Sequence, residues 1–365
     1  MLARAEHECR DAFLLGSQTL ASSSSDYMTF DHSRIIGPIH GPSLYVRDLS
    51  SGDTGVIMRV LVTGTTGFVG GGIVRALLAD GHEIHGLVRD PVAASALQRD
   101  GVTLHAGDMR EPETYVPLVG QVDSVVQAAQ LSTAGRVTRA RAAQVFAAEH
   151  TMTTALAQAC LDQGRRLLYT GGCFDWGDHG DKWITEGTAL SPSPMGEGHA
   201  REARLLQRMN AEHGLDVVRL NPGFVYGPGG LLRSAFVEQA RKGRLRCIGN
   251  GSNWWSCVHV DDLGRAYAAA LTGARPGAYY AVADSCPIRL CDLTDVVTDA
   301  MKLPRVGSGP AWLAGLFIGR PLVASLVTSF RVDATRIGKE LGWKPDHLSF
   351  GESGPAAVRA LADGS

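Results

Sequence analysis

The sequence predicts an α/β fold in which a parallel sheet is covered by helices on both faces, and three observations predict it. From residue 58 onward, short apolar runs of strand length alternate with helical stretches. The first run passes through a glycine-rich turn directly into a helix. Length and composition agree, since 365 residues at 44% hydrophobic content can bury a large core and suggest about two domains. Parallel strands need crossover connections, and helices supply them on either face.

Residues 60–62 form the first strand, and Thr63-Gly64-Thr65-Thr66-Gly67-Phe68-Val69-Gly70 follows it into a helical stretch over residues 71–78. Glycine is common here, 44 of 365 residues, so three glycines count only because a strand precedes them and a helix follows. In that context Gly64 permits the tight turn, Gly67 keeps side-chain bulk away from an approaching pyrophosphate, and Gly70 lets helix and strand pack closely. The helix start offers N–H groups and partial positive charge to phosphates. Further strands are expected at residues 83–88, 102–106, 124–128, 167–170 and 217–220. The fold class is therefore a Rossmann-type doubly wound parallel sheet. Ligands of such sheets lie beyond the carboxyl ends of the strands. After about residue 225 the alternation lapses, which predicts a smaller C-terminal substrate-binding part.

Residues 1–57 show no sustained period and contain the run Ser22 to Ser25, so a flexible extension or a start at Met58 is expected. Residues 58–225 would be mainly the NAD(P)-binding domain, and 226–365 mainly the substrate-binding part. A net charge of −2 gives no reason to expect nucleic acid or an anionic membrane as partner. The apolar stretch from Trp312 to Val327 is broken by Gly319-Arg320-Pro321 and reads as two short helices. Seven cysteines without metal or redox spacing fit a reducing, cytoplasmic setting. The partners expected are a small-molecule substrate and, at most, a second copy of the chain.

The second strand ends Leu87-Val88-Arg89-Asp90, with a cation close to where an NAD site would place its acid. NADP(H) is thus favoured over NAD(H), with Asp90 keeping the alternative open. Gly107-Asp108-Met109 ends the third strand, where a carboxylate can accept from the adenine amino group. Ala128-Ala129-Gln130 ends the fourth, where small residues let the backbone run close to a cofactor.

With these motifs in place the chain resembles the extended short-chain dehydrogenase/reductases of the NAD-dependent epimerase/dehydratase type. The resemblance spans nearly all of residues 58–360. It rests on the glycine turn, on Gly107-Asp108, on Asn221-Pro222-Gly223-Phe224-Val225-Tyr226-Gly227-Pro228-Gly229, on Cys257-Val258-His259-Val260-Asp261-Asp262-Leu263, and on Glu340-Leu341-Gly342-Trp343-Lys344-Pro345. It implies that Gly64, Thr66, Gly67, Phe68, Val69, Gly70, Arg89, Asp108, Met109, Ala128, Ala129, Gln130, Thr170, His199, Pro222, Gly223 and Val225 hold the cofactor.

The catalytic positions depart from the family. Its members use a Tyr for the substrate hydroxyl proton, a Lys four residues later, and a Ser or Thr that polarises the substrate oxygen. None of the eight tyrosines here has a Lys four residues on. By position, Met195 takes the Tyr slot, His199 the Lys slot, and Gly172 the hydroxyl slot. Without a base, alcohol oxidation would slow by roughly 10²–10⁴. Reduction of an activated carbonyl or conjugated double bond asks less of the protein.

His199 is the proton donor this pattern suggests, one helical turn after Met195, with hydrogen bonding to the nicotinamide ribose as its plainer role. Asp175 and His179, in the loop after the fifth strand, and Tyr226, after the sixth, are further candidates; a loop cap and a surface residue are the plainer roles of Asp175 and His179. Cys173 reads as buried filler, and His259 and Asp261 as structural. Trp254-Trp255 and the run 311–318 would form either a second core or a greasy pocket wall suited to an apolar substrate. The function expected is an NAD(P)-dependent reductase. The alternative is a non-catalytic NADP(H)-binding sensor.

Overall fold

The computed structural model describes residues 56–364 apart from Ala134 and Ser285. The expectation for residues 1–57 falls almost wholly outside the described residues. Ile57–Ser365 form one compact unit.

Its elements include, in chain order, β1 (Arg59–Thr63), α1 (Phe68–Ala79), β2 (Glu83–Val88), β3 (Thr103–Ala106), β4 (Ser124–Gln127), α2 (Arg139–Gln163), β5 (Arg166–Thr170), α3 (Glu197–His213), β6 (Val217–Pro222), β7 (Phe224–Tyr226), β8 (Cys257–His259), α4 (Val260–Gly273), β9 (Tyr279–Val282), α5 (Ala311–Ile318) and α6 (Arg320–Leu326). Seven of these strands form one sheet in the order β9-β6-β5-β4-β1-β2-β3, and every pairing in it is parallel. The order reverses between β1 and β4, where Thr63 lies opposite Gln127. A crevice at that reversal is where such sheets take a ligand.

The central strands are apolar on both faces because both are covered. Val60, Val62, Ile84, Val126 and Leu168 face a core shared with Ile73, Val74 and Leu77 of α1. Leu61, Val125 and Leu167 face the other way, onto Ala148, Met152 and Leu156 of α2. Such burial explains continuous apolar runs in place of strict alternation.

The alternation does not end near residue 225. Tyr279–Val282, preceded by α4, pairs with β6 as a seventh parallel strand. Two short pieces, β7 and β8, pair with each other outside the sheet and mask this return in the sequence. Trp255 is buried and packs with Phe224, Phe236 and Phe330, but within the same core as Val60 and Ile73, so it extends the first core where a second core or a pocket wall was expected. The run 311–318 matches neither, because Trp312 and Phe317 are 70% and 71% exposed. The scattered cysteines also require correction: Cys247 and Cys291 are joined as a disulfide with their Cα atoms 5.5 Å apart. Among the described residues no helix is long and apolar enough to cross a membrane.

Candidate active site

At the switch point the glycine turn is shaped around an anion. Gly64 has φ +73°, and a Cβ there would stand 2.7 Å from the Ala128 carbonyl oxygen, so only glycine fits between the ends of β1 and β4. The Gly67 N–H donates to the Gly64 carbonyl at 2.8 Å and closes the turn. Among the described residues no side chain caps the start of α1, which suits its leading N–H groups to phosphate oxygens. Thr66 and Gly67 are exposed there. Thr63 holds the opposite wall, its hydroxyl accepting from the Ala128 and Ala129 N–H groups, both at 3.2 Å. These residues fit a dinucleotide.

Beyond β2 and β3 lies a cleft of about 360 Å³ lined by Arg89, Ala106, Gly107, Asp108, Glu111 and Thr114. Asp108 is engaged by Arg110, which donates through Nε and Nη2 at 2.8 Å each. The Arg110 guanidinium, outweighing partial burial, holds the Asp108 carboxyl at about 2. Arg110, which the sequence analysis passed over, thus stands with Arg89 as a second cation at the expected adenosine end.

Near the end of β5 a cluster of buried polar groups surrounds His199. Its Nδ1 lies 2.5 Å from Oε1 of Glu149. The Tyr169 hydroxyl donates to the same oxygen at 2.6 Å and stands 3.1 Å from Nδ1. On the other side of the ring, Nε2 is 3.2 Å from the Gln130 amide. Burial opposes charge on the imidazole, but Glu149, with Asp175 and Glu202 behind it, outweighs burial and lifts His199 to about 9. Glu149 in turn is held below the usual carboxylate range: burial works against the anion, and the charge and hydrogen bond of His199 together with the Tyr169 hydroxyl overcome it. His199 is therefore an imidazolium at neutral pH. Nδ1–H is committed to Glu149, and Nε2 faces the Gln130 amide nitrogen, itself a donor; with the ring charged, that amide turns over so that its oxygen accepts from Nε2–H.

Asp175 is fully buried. Asn221 Nδ2 donates to its Oδ2 at 2.9 Å, and Oδ1 has no partner among the described residues. Burial pushes its carboxyl up to about 7, against the pull of His199 and Asn221. A Cβ on Gly172 would stand 3.2 Å from His199 Cδ2, so the position where the family carries a hydroxyl side chain is filled by the imidazole edge.

Several sequence candidates lie elsewhere. Tyr226 is buried, its ring against His259 and Phe350 and its hydroxyl donating to the Ser349 carbonyl at 3.4 Å, which makes it a core residue. The Thr170 hydroxyl is taken by Tyr267 at 2.5 Å. Met109 has its side chain in the core around Leu61 and Tyr115. Met195 does not share a helical face with His199, because α3 begins only at Glu197. Its side chain packs with Val137, Ala142, Phe146, Phe174 and Leu322. His179 bonds the Trp176 carbonyl near the surface, Cys173 is buried filler as expected, and His259 caps α4. Pro222 ends β6, with Gly223 and Val225 just beyond it at the carboxyl edge.

Glu149 and Tyr169 were missed. The signal for Glu149 was present, since Val145, Glu149, Met152 and Leu156 form one buried stripe of α2 and a carboxylate on such a stripe needs a partner.

A doubly wound sheet with a dinucleotide turn at its switch point and a titratable cluster beyond β5 defines an NAD(P)-dependent oxidoreductase of the short-chain dehydrogenase type. The chain belongs to the NAD-dependent epimerase/dehydratase family, whose model matches residues 60–283. It is 29% identical to a 2-alkyl-3-oxoalkanoate reductase of Stenotrophomonas maltophilia, across 72% of this chain and 81% of that one. It is also 29% identical to a 3-diazoavenalumate denitrifying reductase of a Streptomyces species, across 80% and 98%. The fold superposes on a dTDP-glucose 4,6-dehydratase of Streptomyces venezuelae solved with NAD, with a TM-score of 0.72 at 24% identity, covering 84% of this chain and 97% of that one.

Proposed function

We propose that the protein is an NADP(H)-dependent reductase of an activated carbonyl or conjugated double bond in a small, fairly apolar molecule, with His199 as proton donor in place of the usual Tyr-Lys pair. The observation that carries this reading is the 2.5 Å contact between His199 Nδ1 and Glu149. It keeps the imidazole charged and leaves one N–H, on Nε2, to give away. A bound nicotinamide cofactor would supply the hydride. The residues suited to hold it are Gly64, Thr66, Gly67, Phe68, Val69 and Gly70 at the phosphates, with Arg89 and Arg110 for a ribose 2′-phosphate. His199 meets the negative charge that reduction develops on the substrate, first as a charge and then as a proton source. Glu149 and Tyr169 hold the ring in one orientation. That two relatives carry reductase names supports the direction of reaction.

The test is NADPH oxidation against a panel of 3-oxo acids, enones and quinones, with His199→Gln beside the unaltered protein. The expected loss in kcat is roughly 10²–10⁴ with cofactor binding kept. Micromolar NADPH binding with no turnover on any acceptor would instead support the sensor reading.

A further inference from the structure

We propose that α5 and the arginines beside it form a docking surface for an anionic lipid bilayer. Trp312, Leu313, Leu316 and Phe317 are exposed at 70, 40, 48 and 71%. Their spacing, i, i+1, i+4 and i+5, puts them on one side of a two-turn helix of which only Gly315 is buried. Single exposed leucines are ordinary, but here four of the ten large exposed hydrophobics among the described residues fall within six positions.

The charge in the two segments that meet at this patch is one-sided. Residues 124–148 carry Arg136, Arg139 and Arg141 and no acidic residue; residues 300–332 carry Lys302, Arg305, Arg320 and Arg331 and again no acidic residue. The structure brings the two segments together: the Val137 N–H donates to the Ile318 carbonyl at 2.9 Å, and Leu322 packs on Val137. Some of these cations are occupied. Arg305 pairs with Asp295 and Asp299, Arg331 lies over the rings of Trp183 and Trp254, and Arg141 donates to the Ser132 carbonyl. Arg136, Arg139 and Arg320 are exposed, and none is ion-paired with another described residue. The whole-chain charge of −2 conceals this local excess.

An apolar helix face bearing Trp and Phe and flanked by cations matches the interfacial region of a membrane, where aromatic side chains insert and arginines meet anionic headgroups. A second copy fits less well, because a two-fold contact through this patch would set the three arginines near their own copies. The next helix, α6, is anchored in the interior: the Met195 N–H donates to the buried Ser325 Oγ at 2.9 Å, and Ser193 donates to it as well.

The test is flotation of the full chain with phosphatidylcholine vesicles, with and without phosphatidylserine, at low and high salt. It needs no turnover, so it stands or falls separately from the reductase reading. Binding is expected only to the phosphatidylserine vesicles, weakening with salt. The double variant Trp312→Ser/Phe317→Ser should bind about tenfold or more weakly, as two aromatic side chains no longer leave water. Arg136→Glu/Arg320→Glu should lose the phosphatidylserine preference while keeping the unaltered melting temperature. No binding to either vesicle, or equal binding by all three proteins, would overturn the proposal. So would concentration-dependent dimerisation abolished by Phe317→Ser, which would assign the patch to a second copy.

Discussion

Glu149 on α2 and His199 on α3 meet at 2.5 Å, with the carboxylate side chain 3% exposed and the imidazole 17%. Two helices that cover the same face of the sheet thus carry an acid and a base to one point below the end of β5. Gly198 makes the approach feasible, since a Cβ there would come within 3.0 Å of Glu149 Oε2. The pair sets the charge of the site, and its removal has a calculable effect.

Glu149→Gln removes what lifts His199 to about 9 and leaves burial, which lowers it, as the main influence. NADPH oxidation, which needs the imidazolium, should fall with rising pH through about 9 in the unaltered protein. In the variant the fall should begin near or below 6.5, so that at pH 8 the rate drops about thirtyfold or more. Stability follows the same sign. A histidine raised in the folded state contributes fully below its unfolded pKa of about 6.5, and the contribution is lost as pH rises through about 9. Unchanged pH–rate and pH–melting profiles in Glu149→Gln would refute the coupling.

Asp175 behaves in the opposite sense. Its folded carboxyl titrates at about 7, well above the ordinary value of about 3.8, because of burial. As pH rises between those values the unfolded chain ionises first, so this residue lowers stability across the window. Asp175→Asn keeps the size and can still meet Asn221. Its melting temperature should match that of the unaltered protein near pH 4 and exceed it at pH 8, by on the order of 4 kcal/mol in stability, about 1.4 kcal/mol for each pH unit of displacement. A difference independent of pH would show that the Asp175 carboxyl is not displaced by its surroundings.

Arg89 and Arg110 make the cofactor preference measurable. A charge-assisted bond to a phosphate contributes roughly 1.5–3 kcal/mol, so Arg89→Ala or Arg110→Ala should weaken NADPH binding about tenfold to a hundredfold and leave NADH nearly unaffected. Arg110→Ala also frees Asp108 from the bonds at 2.8 Å that now hold it. Its Kd for NADPH should therefore rise more than that of Arg89→Ala, since an unpaired carboxylate would then face the same phosphate. Equal losses for both nucleotides would place the two arginines elsewhere than the 2′-position.

Most of the sheet is legible in the sequence because strand burial and helix burial have different periods. Residues 83–88 form β2 with the bounds expected, and β1 extends the expected run by one residue at each end. The glycine turn reads clearly because each glycine has a separate steric reason. What the sequence hides is contact between distant positions. Glu149 and His199 lie fifty positions apart, and nothing local marks them as partners. Cys247 and Cys291, 44 positions apart, pose the same problem. Tyr169 is hidden because no Lys follows it four residues on, so nothing local sets it apart from the other tyrosines. The run 311–318 misleads because apolar composition shows what favours burial, and only the packing shows what is buried.

Gly172 offers the sharpest separation of this site from its family's chemistry. Its φ of −156° is extended backbone open to any residue, so a substitution there is decided by space alone. The first side-chain atom would stand 3.2 Å from Cδ2 and 3.6 Å from Nε2 of His199, close enough that the ring must yield by a few tenths of an ångström. The ring cannot yield freely, because Nδ1 is held by Glu149 at 2.5 Å. Gly172→Ser, which returns the family's hydroxyl, should therefore impair reduction instead of improving it. We expect a loss of about 1 kcal/mol in stability from overpacking and an alkaline pH–rate limb displaced downward from about 9. Gly172→Ala supplies the control, with the same first atom and no hydroxyl. If Ser and Ala act alike, sterics at His199 govern the position; if Ser alone raises kcat, the site has kept room for the hydroxyl and the imidazole is not the proton donor.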